Sequence, residues 1–230
     1  MAVHALVVAA GRGTRFGGDL PKQYLPIAMP AGTKTVLELS LAALAKSPDI
    51  SSCTLVIAKE DTIAQTLNFV LPCEVVVGGA ERWQSVANGV AHIAKTAKDD
   101  DLILIHDGAR PCLSPVDLQK VIDTAKTEPN GAILGVPVAD TLKVVQNGQI
   151  IKTTDRTNLW HAQTPQAFRL DKLLQVIDFI KQNNQLITDE AQGFEALNLP
   201  VAMVAGSPSN LKLTHKHDLP LLTAILGRLG

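Results

Sequence analysis

Aromatic residues are scarce in this chain of 230 residues: two Trp, one Tyr and five Phe make up 3% of it. That leaves little from which to build a base-stacking platform for nucleic acid. Charge of one sign is lacking as well, because 21 Lys and Arg stand against 22 Asp and Glu, for a formal net charge of −1. No overall basic field recruits DNA or RNA, so nucleic acid is not an expected partner. Cysteine is rare: Cys53, Cys73 and Cys112 are odd in number, widely spaced and form no C-x-x-C pair. This argues against a disulfide scaffold or a thiolate metal site, and fits buried thiols in a reducing compartment. Long hydrophobic runs are missing too. The apolar run at residues 5–10 follows no basic segment and is too short for a signal-peptide core or a membrane span. No membrane association is expected, and a cytoplasmic location is.

What is present is a globular composition, 46% hydrophobic and 19% charged, in a length that suits one domain spanning residues 1–230. Short runs of Val, Ile and Leu at 5–10, 54–58, 74–77, 102–106 and 132–136 read as strands covered on both faces. Helical spacing at 36–46, 62–68, 82–95 and 115–127 falls between them; in the last, Ser114 is placed to cap and Pro115 to open the helix. Alternation of this kind predicts an α/β fold: a mostly parallel sheet with helices on both faces. The rhythm then changes. Residues 140–146 and 149–154 flank Asn147-Gly148, a strong hairpin signal. The hairpin either caps the sheet or projects as an arm to another subunit, and its polar content argues against full burial. Helices at 171–182 and 189–197, a strand at 201–204 and a last helix at 220–229 packed on the sheet complete the reading.

Several clusters carry chemistry. The first strand runs into A-A-G-R-G-T-R-F-G-G-D-L-P-K-Q-Y, where Gly11, Gly13, Gly17 and Gly18 let backbone approach a ligand. Arg12, Arg15 and Lys22 put three cations there against Asp19 alone, which favours a polyphosphate over a solvated turn. The loop is neither a Walker A motif nor a dinucleotide fingerprint, since no G-K-[ST] ends it and Phe16 takes the third glycine's place. In I-L-I-H-D-G-A-R-P an apolar strand delivers His106, Asp107 and Arg110 to its C-terminal end, where open α/β sheets bind ligands. Asp107 either meets a ribose or a magnesium ion, or caps the next turn and pairs with Arg110. G-G-A-E-R-W-Q-S-V offers Gly78, Gly79 and the Ser85 hydroxyl, with Trp83 as a packing residue. D-R-T-N-L-W-H-A-Q-T-P-Q brings Arg156 and Thr164 as anion binders, with Asp155 able to neutralise Arg156. Thr188, Asp189 and Glu190 in T-D-E-A are accounted for by helix capping. S-N-L-K-L-T sets Lys212 on a short strand, where alternation with Leu211 and Leu213 turns it to solvent. His215 and His217 lack a third ligand at metal spacing. Cations and glycines at strand ends, without a nucleophile elbow, suit phosphoryl or nucleotidyl transfer.

Together the segments A-A-G-R-G-T-R-F, P-K-Q-Y-L, G-G-A-E-R-W-Q-S-V, H-D-G-A-R-P, D-T-L-K, D-R-T-N-L-W-H-A-Q-T-P-Q, T-D-E-A and N-L-K-L-T run from residue 9 to residue 214. In that order the chain resembles the 2-C-methyl-D-erythritol 4-phosphate cytidylyltransferases. The resemblance implies a Rossmann-like fold and a homodimer joined through projecting β-arms, here at about 138–158. It implies transfer of CMP from CTP to methylerythritol phosphate, with a divalent cation, usually magnesium (Mg2+), held mainly by the CTP phosphates near Asp107. Arg15, Lys22, Arg156 and Lys212 would then serve the reaction, with Arg156 drawn from the partner's arm. Ala9, Ala10, Gly11, Gly13, Gly79, Ser85, Asp107 and Gly108 would hold the nucleotide, and Arg110, Thr141, Thr164 and Thr188 the acceptor. Val8, Ala80 and Gly108 depart from the family's usual proline, aspartate and alanine, and none removes a charge assigned to chemistry. Ribitol-5-phosphate cytidylyltransferase, another sugar-phosphate nucleotidyltransferase, and a nucleotide-binding regulator without turnover are the alternatives.

Overall fold

The structure, a computed structural model, describes every residue except 12, 14, 15, 18, 19 and 230. Its centre is a seven-stranded sheet. From one edge the order is β11 (Ala202–Ala205), β7 (Ala132–Pro137), β10 (Trp160–Arg169), β6 (Leu102–Asp107), β1 (Val3–Val8), β4 (Ile50–Ile57) and β5 (Glu74–Val77). Every neighbouring pair is parallel except those made by β10, which runs against both β6 and β7. The sheet is therefore mainly parallel, as the run of short apolar segments predicts.

Period-two alternation along the strands feeds two cores. In β6, Leu102 and Leu104 join one cluster with α1 (Val36–Leu44) and α3 (Pro115–Thr127), through Leu37, Leu41, Leu118 and Val121. Ile103 and Ile105 join the other, with α2 (Arg82–Ile93), α4 (Leu170–Asn183) and α5 (Glu190–Ala196). Phe168 on β10 stacks on Phe194 of α5 with ring centroids 4.5 Å apart. All of these side chains are fully buried, and full burial of one such side chain contributes about 1.5–3 kcal/mol. Helix starts follow local chemistry. Ser114 Oγ accepts from the Asp117 N–H with Pro115 in the first turn, and Thr35 and Glu38 form a capping box on α1.

Four expectations change. The helix expected at 62–68 is a single 3₁₀ turn, Ala64–Thr66. Asp61 accepts from the N–H groups of Ile63 and Ala64, but the chain is extended again at Leu67, too soon to propagate a helix. The polar segment D-R-T-N-L-W-H-A-Q-T-P-Q runs into a sheet strand, β10, lacking the apolar alternation that marks one. Its buried polar side chains bond inside the fold instead: Gln163 donates to Ser207 O and Gln166 to Asp189 Oδ2. Residues 211–214 form no strand. The last helix, α6 (Leu219–Leu229), does not pack on the main sheet, whose faces α1–α5 already occupy. Leu222 and Leu226 instead meet Ile27, Val36 and Cys112 beside a ribbon of β2 (Pro26–Met29) and β3 (Gly32–Thr35).

The hairpin is as the sequence reads it. β8 (Leu142–Gln146) and β9 (Gln149–Thr154) pair only with each other, outside the main sheet. Asn147 and Gly148 both have positive φ, 50° and 78°, as a tight two-residue hairpin turn requires. The register Thr54↔Glu74 sets Cys53 beside Cys73 across β4 and β5, and both remain free thiols. Among the described residues no helix is long and apolar enough to cross a membrane.

Candidate active site

Strand β1 marks the point where the sheet's order reverses, with β4 and β5 on one side and β6 on the other. Crevices in open α/β sheets lie at the carboxyl ends of strands at such a point. Here the parallel ladder continues one residue past the strands, through Ala9 N–H to Val56 O, Gly78 N–H to Ile57 O and Gly108 N–H to Val8 O. Beyond it opens a crevice of about 300 Å³. Ten of the residues singled out from sequence line it: Ala9, Ala10, Gly11, Gly13, Lys22, Gly79, Ser85, Asp107, Gly108 and Lys212. Arg15 lies outside the described residues.

The crevice walls are held by bonds that sequence did not announce. Buried Gln23 donates from Nε2 to Ala9 O at 2.8 Å and Gly11 O at 3.3 Å, fixing the start of the glycine-rich loop. On the far wall, a Cβ at Gly78 would stand 2.6 Å from Ser85 Oγ and 2.8 Å from Ala10 Cβ. Gly78 thus lets the first turn of α2 press against the end of β1. The Ser85 hydroxyl accepts from Gly79 N–H and donates to Glu81 O, at 3.1 and 3.2 Å. Lys22 donates to Leu213 O at 2.6 Å, and Leu213 N–H in turn reaches Ala109 O. Segment 211–214 is therefore tied along the end of β6. Its alternation survives without a strand: Leu213 is buried, and Lys212 turns not to open solvent but into the crevice.

Asp107 is the electrostatic centre. Its carboxylate lies 2.6 Å from Lys212 Nζ and 3.6 Å from the Nε atoms of both Arg82 and Arg110. Burial alone would raise its pKa, but Lys212, Arg82 and Arg110 outweigh that and hold it well below the usual carboxylate range. Both readings of Asp107 thus have footing here: the pairing with Arg110 is present, and the carboxylate also faces the crevice.

Two of the three cations are anchored elsewhere. Arg82 Nη1 bonds both oxygens of Glu190 at 2.8 Å, and Glu190 is 2% exposed. Burial opposes the guanidinium charge, but Glu190 and Asp107 more than restore it. Capping therefore does not account for T-D-E-A. Asp189 does cap α5, accepting from Gln192 N–H, whereas Glu190 is the buried partner of a residue 108 positions away. Arg110 donates from Nη1 to Asn210 O at 2.7 Å.

Beneath Asp107 runs a buried relay. Asp107 N–H donates to Thr164 Oγ1, and Thr164 Oγ1 is 3.1 Å from His106 Nδ1. The Arg110 carbonyl can only accept, so Nε2–H of His106 donates to it, and Nδ1 of the neutral ring accepts from the Thr164 hydroxyl. The imidazole is neutral: burial pushes its pKa down to about 4. Asn210, fully buried, donates to Thr164 O at 2.9 Å. Thr164 and Arg110, read from sequence as acceptor-binding groups, thus have framework partners and do not line the crevice.

Three remaining residues lie away from the crevice. Thr141 and Arg156 are exposed at the two ends of the arm. Asp155 does not neutralise Arg156 in the structure; it accepts from the Thr157 N–H and hydroxyl. Thr188 is exposed and donates from its N–H and hydroxyl to Gln192 Oε1. Gln23, Arg82, Glu190 and Asn210 are the functional-site residues that sequence reasoning missed. All four sit inside motifs marked in the sequence, but no spacing rule pairs positions so far apart.

A glycine-bounded crevice at a sheet's switch point, with Lys22 and Lys212 beside one buried carboxylate, defines an α/β protein built to hold nucleotide phosphates. Known proteins narrow that class. The family model described as 2-C-methyl-D-erythritol 4-phosphate cytidylyltransferase matches residues 3–228. A relative of that name from Psychrobacter arcticus is 44% identical over 97% of this chain and 91% of its own length. Another, from Neisseria meningitidis, is 41% identical over 96% of both. Among solved structures, a 4-diphosphocytidyl-2C-methyl-D-erythritol synthase superposes with a TM-score of 0.83 at 38% identity, covering 98% of each chain. The Thermus thermophilus cytidylyltransferase gives a TM-score of 0.81 at 28% identity over 99% of this chain and all of its own. The chain belongs to the 2-C-methyl-D-erythritol 4-phosphate cytidylyltransferase family.

Proposed function

We propose that the crevice binds CTP and 2-C-methyl-D-erythritol 4-phosphate and transfers CMP between them, releasing pyrophosphate, a step of non-mevalonate isoprenoid synthesis. One observation carries the reading: in a member of this family, Lys22 and Lys212 line the same crevice as Asp107 and the glycine-bounded ends of β1 and β5. Matches to relatives carrying this name do not favour the ribitol-phosphate alternative.

The chemistry follows from charge. An oxygen of the acceptor's phosphate forms a bond to the CTP α-phosphorus while the bond from that phosphorus to the bridging oxygen breaks in line, and pyrophosphate leaves. Near neutral pH the attacking oxygen is already deprotonated, so no general base is required. The barrier is repulsion between two polyanions and charge developing on the α-phosphate, both lowered by fixed cations. Lys22 and Lys212, with Arg15 on the glycine-rich loop, supply them. Backbone groups at Ala9, Ala10, Gly11, Gly13 and Gly79 and the Ser85 hydroxyl hold the base and phosphates, and Asp107 with Gly108 holds the ribose. Arg110 and Thr164 support that crevice from behind, through their bonds to Asn210 O and from Asp107 N–H, whereas Thr141 and Thr188 lie away from it.

Magnesium suits this donor set. Among the described residues no three His, Cys, Asp or Glu side chains cluster to hold a metal unaided. Asp107 offers one hard oxygen ligand in the crevice, and Mg2+ commonly binds through one or two carboxylates plus substrate phosphates. When bound, the ion would neutralise triphosphate charge and ease the departure of pyrophosphate.

The arm reads as a dimer contact. Val145 and its cross-strand partner Ile150 are 56% and 65% exposed and Ile151 is 58% exposed, apolar side chains that a second copy's arm would cover. Arg156, at the arm's base and outside its own crevice, would then complete the partner's site. Mixing inactive Arg156→Ala and Lys212→Ala chains should restore activity, because each mixed dimer holds one intact site. No recovery would refute the shared site. The function itself is tested by pyrophosphate release with CTP, magnesium and methylerythritol phosphate, beside ribitol 5-phosphate and the other nucleotides. Turnover with the first pair alone is expected. Turnover with ribitol phosphate would reassign the acceptor, and CTP binding without any turnover would leave a regulator.

A further inference from the structure

We propose that Arg82 and Glu190 are positioning residues whose task is to free Lys212 from Asp107; this rests on the cytidylyl-transfer reading of the crevice. Three cations surround the Asp107 carboxylate, and they are not equivalent. Arg82 is clamped by both oxygens of Glu190 at 2.8 Å, and Arg110 is tied to Asn210 O at 2.7 Å. Lys212 has Asp107 as its ion-pair partner at 2.6 Å among the described residues, and its side chain is 34% exposed at the crevice. To stabilise charge on a phosphate, Lys212 must leave that contact.

A buried carboxylate stripped of its nearest cation would draw it back strongly, because burial penalises an uncompensated charge. Arg82 prevents this. Held 3.6 Å from Asp107 Oδ1 by a partner on another helix, it cannot follow the substrate and goes on compensating the carboxylate after Lys212 departs. Glu190 is the anchor that keeps Arg82 from collapsing onto either Asp107 or the incoming phosphates. Arg82 opens α2 and Glu190 opens α5, so packing of both helices on the same sheet face sets the clamp's geometry.

The Arg82→Gln, Glu190→Gln double variant tests this, because it removes both charges of the pair together, where a single substitution would leave a buried charge unpaired. Its kcat should fall by on the order of 10- to 100-fold, with the Kd for CTP, read by calorimetry, within about threefold of wild type. The same double change made in Lys212→Ala should lower kcat by no more than about twofold further, since the residue it acts through is gone. A double variant with normal kcat would overturn the proposal. So would full additivity with Lys212→Ala, which marks a merely structural role. If Lys212→Ala itself keeps wild-type kcat, the underlying assignment of Lys212 fails, and the proposal fails with it by a separate and recognisable result.

Discussion

The carboxyl edge of the sheet and the β8–β9 arm use charged and apolar residues in opposite ways. At the edge, charges are buried and interlocked: Asp107 with three cations, Glu190 with Arg82, neutral His106 bonded at both ring nitrogens. In the arm, apolar Ile150 and Ile151 stand in solvent, and the strands bond only each other. A region whose buried charges are already paired inside the chain is prepared for a small ligand. A region whose apolar groups have no cover within the chain is where the proposed second copy would sit.

The contrast can be broken from the edge first. Glu190→Ala removes the anion that neutralises a mostly buried guanidinium, and should lower folding free energy by about 3–5 kcal/mol in urea titrations. A loss below about 1 kcal/mol would mean the pair is not buried in solution. Lys212→Ala is next, at about 3–4 kcal/mol of transition-state stabilisation, or on the order of a hundredfold or more in kcat, with a smaller loss of folding free energy because Arg82 and Arg110 still compensate Asp107. Equal losses of stability and turnover would make Lys212 a framework residue like Arg110.

His106 gives a pH-dependent test, with Asp107, Arg110 and Lys212 as the charged groups around it. Its folded pKa is pushed down to about 4, whereas an unfolded histidine titrates near ~6.5. Between those values the unfolded chain binds a proton that the folded chain refuses, so this contribution is complete above the window and is lost as pH falls through it. The loss reaches about 3 kcal/mol. Wild type should therefore lose its stability advantage over His106→Gln on acidification, and parallel stability curves would contradict a neutral buried imidazole. The smallest effect belongs to the arm. Ile150→Ser with Ile151→Ser should change folding free energy by no more than about 0.5 kcal/mol per site, while shifting sedimentation from the proposed dimer toward monomer. A large loss of chain stability there would erase the contrast.

How much of this was legible before the fold depended on the range of each interaction. The arm was read from Asn147-Gly148 between alternating strands, because hairpin geometry is set by two residues and their neighbours. The glycine-rich loop and H-D-G-A-R-P were legible for the same reason: each places its chemistry at the end of one apolar run. β10 was not, since its buried Gln163, Thr164 and Gln166 carry the polarity of a loop and are stabilised by partners on other elements. Glu190 was read as a cap because its local sequence suffices for one.

By itself, the amino-acid sequence determined the parallel α/β plan, the hairpin and the residue types available for phosphate chemistry, all consequences of short-range periodicity and turn geometry. Only tertiary structure decided which cations remain fixed and which one is free to move. That choice rests on bonds between Arg82 and Glu190, and between Arg110 and Asn210, 108 and 100 residues apart. Separations of that size leave no periodic trace in a chain, and become contacts only when helices from distant segments close on one sheet.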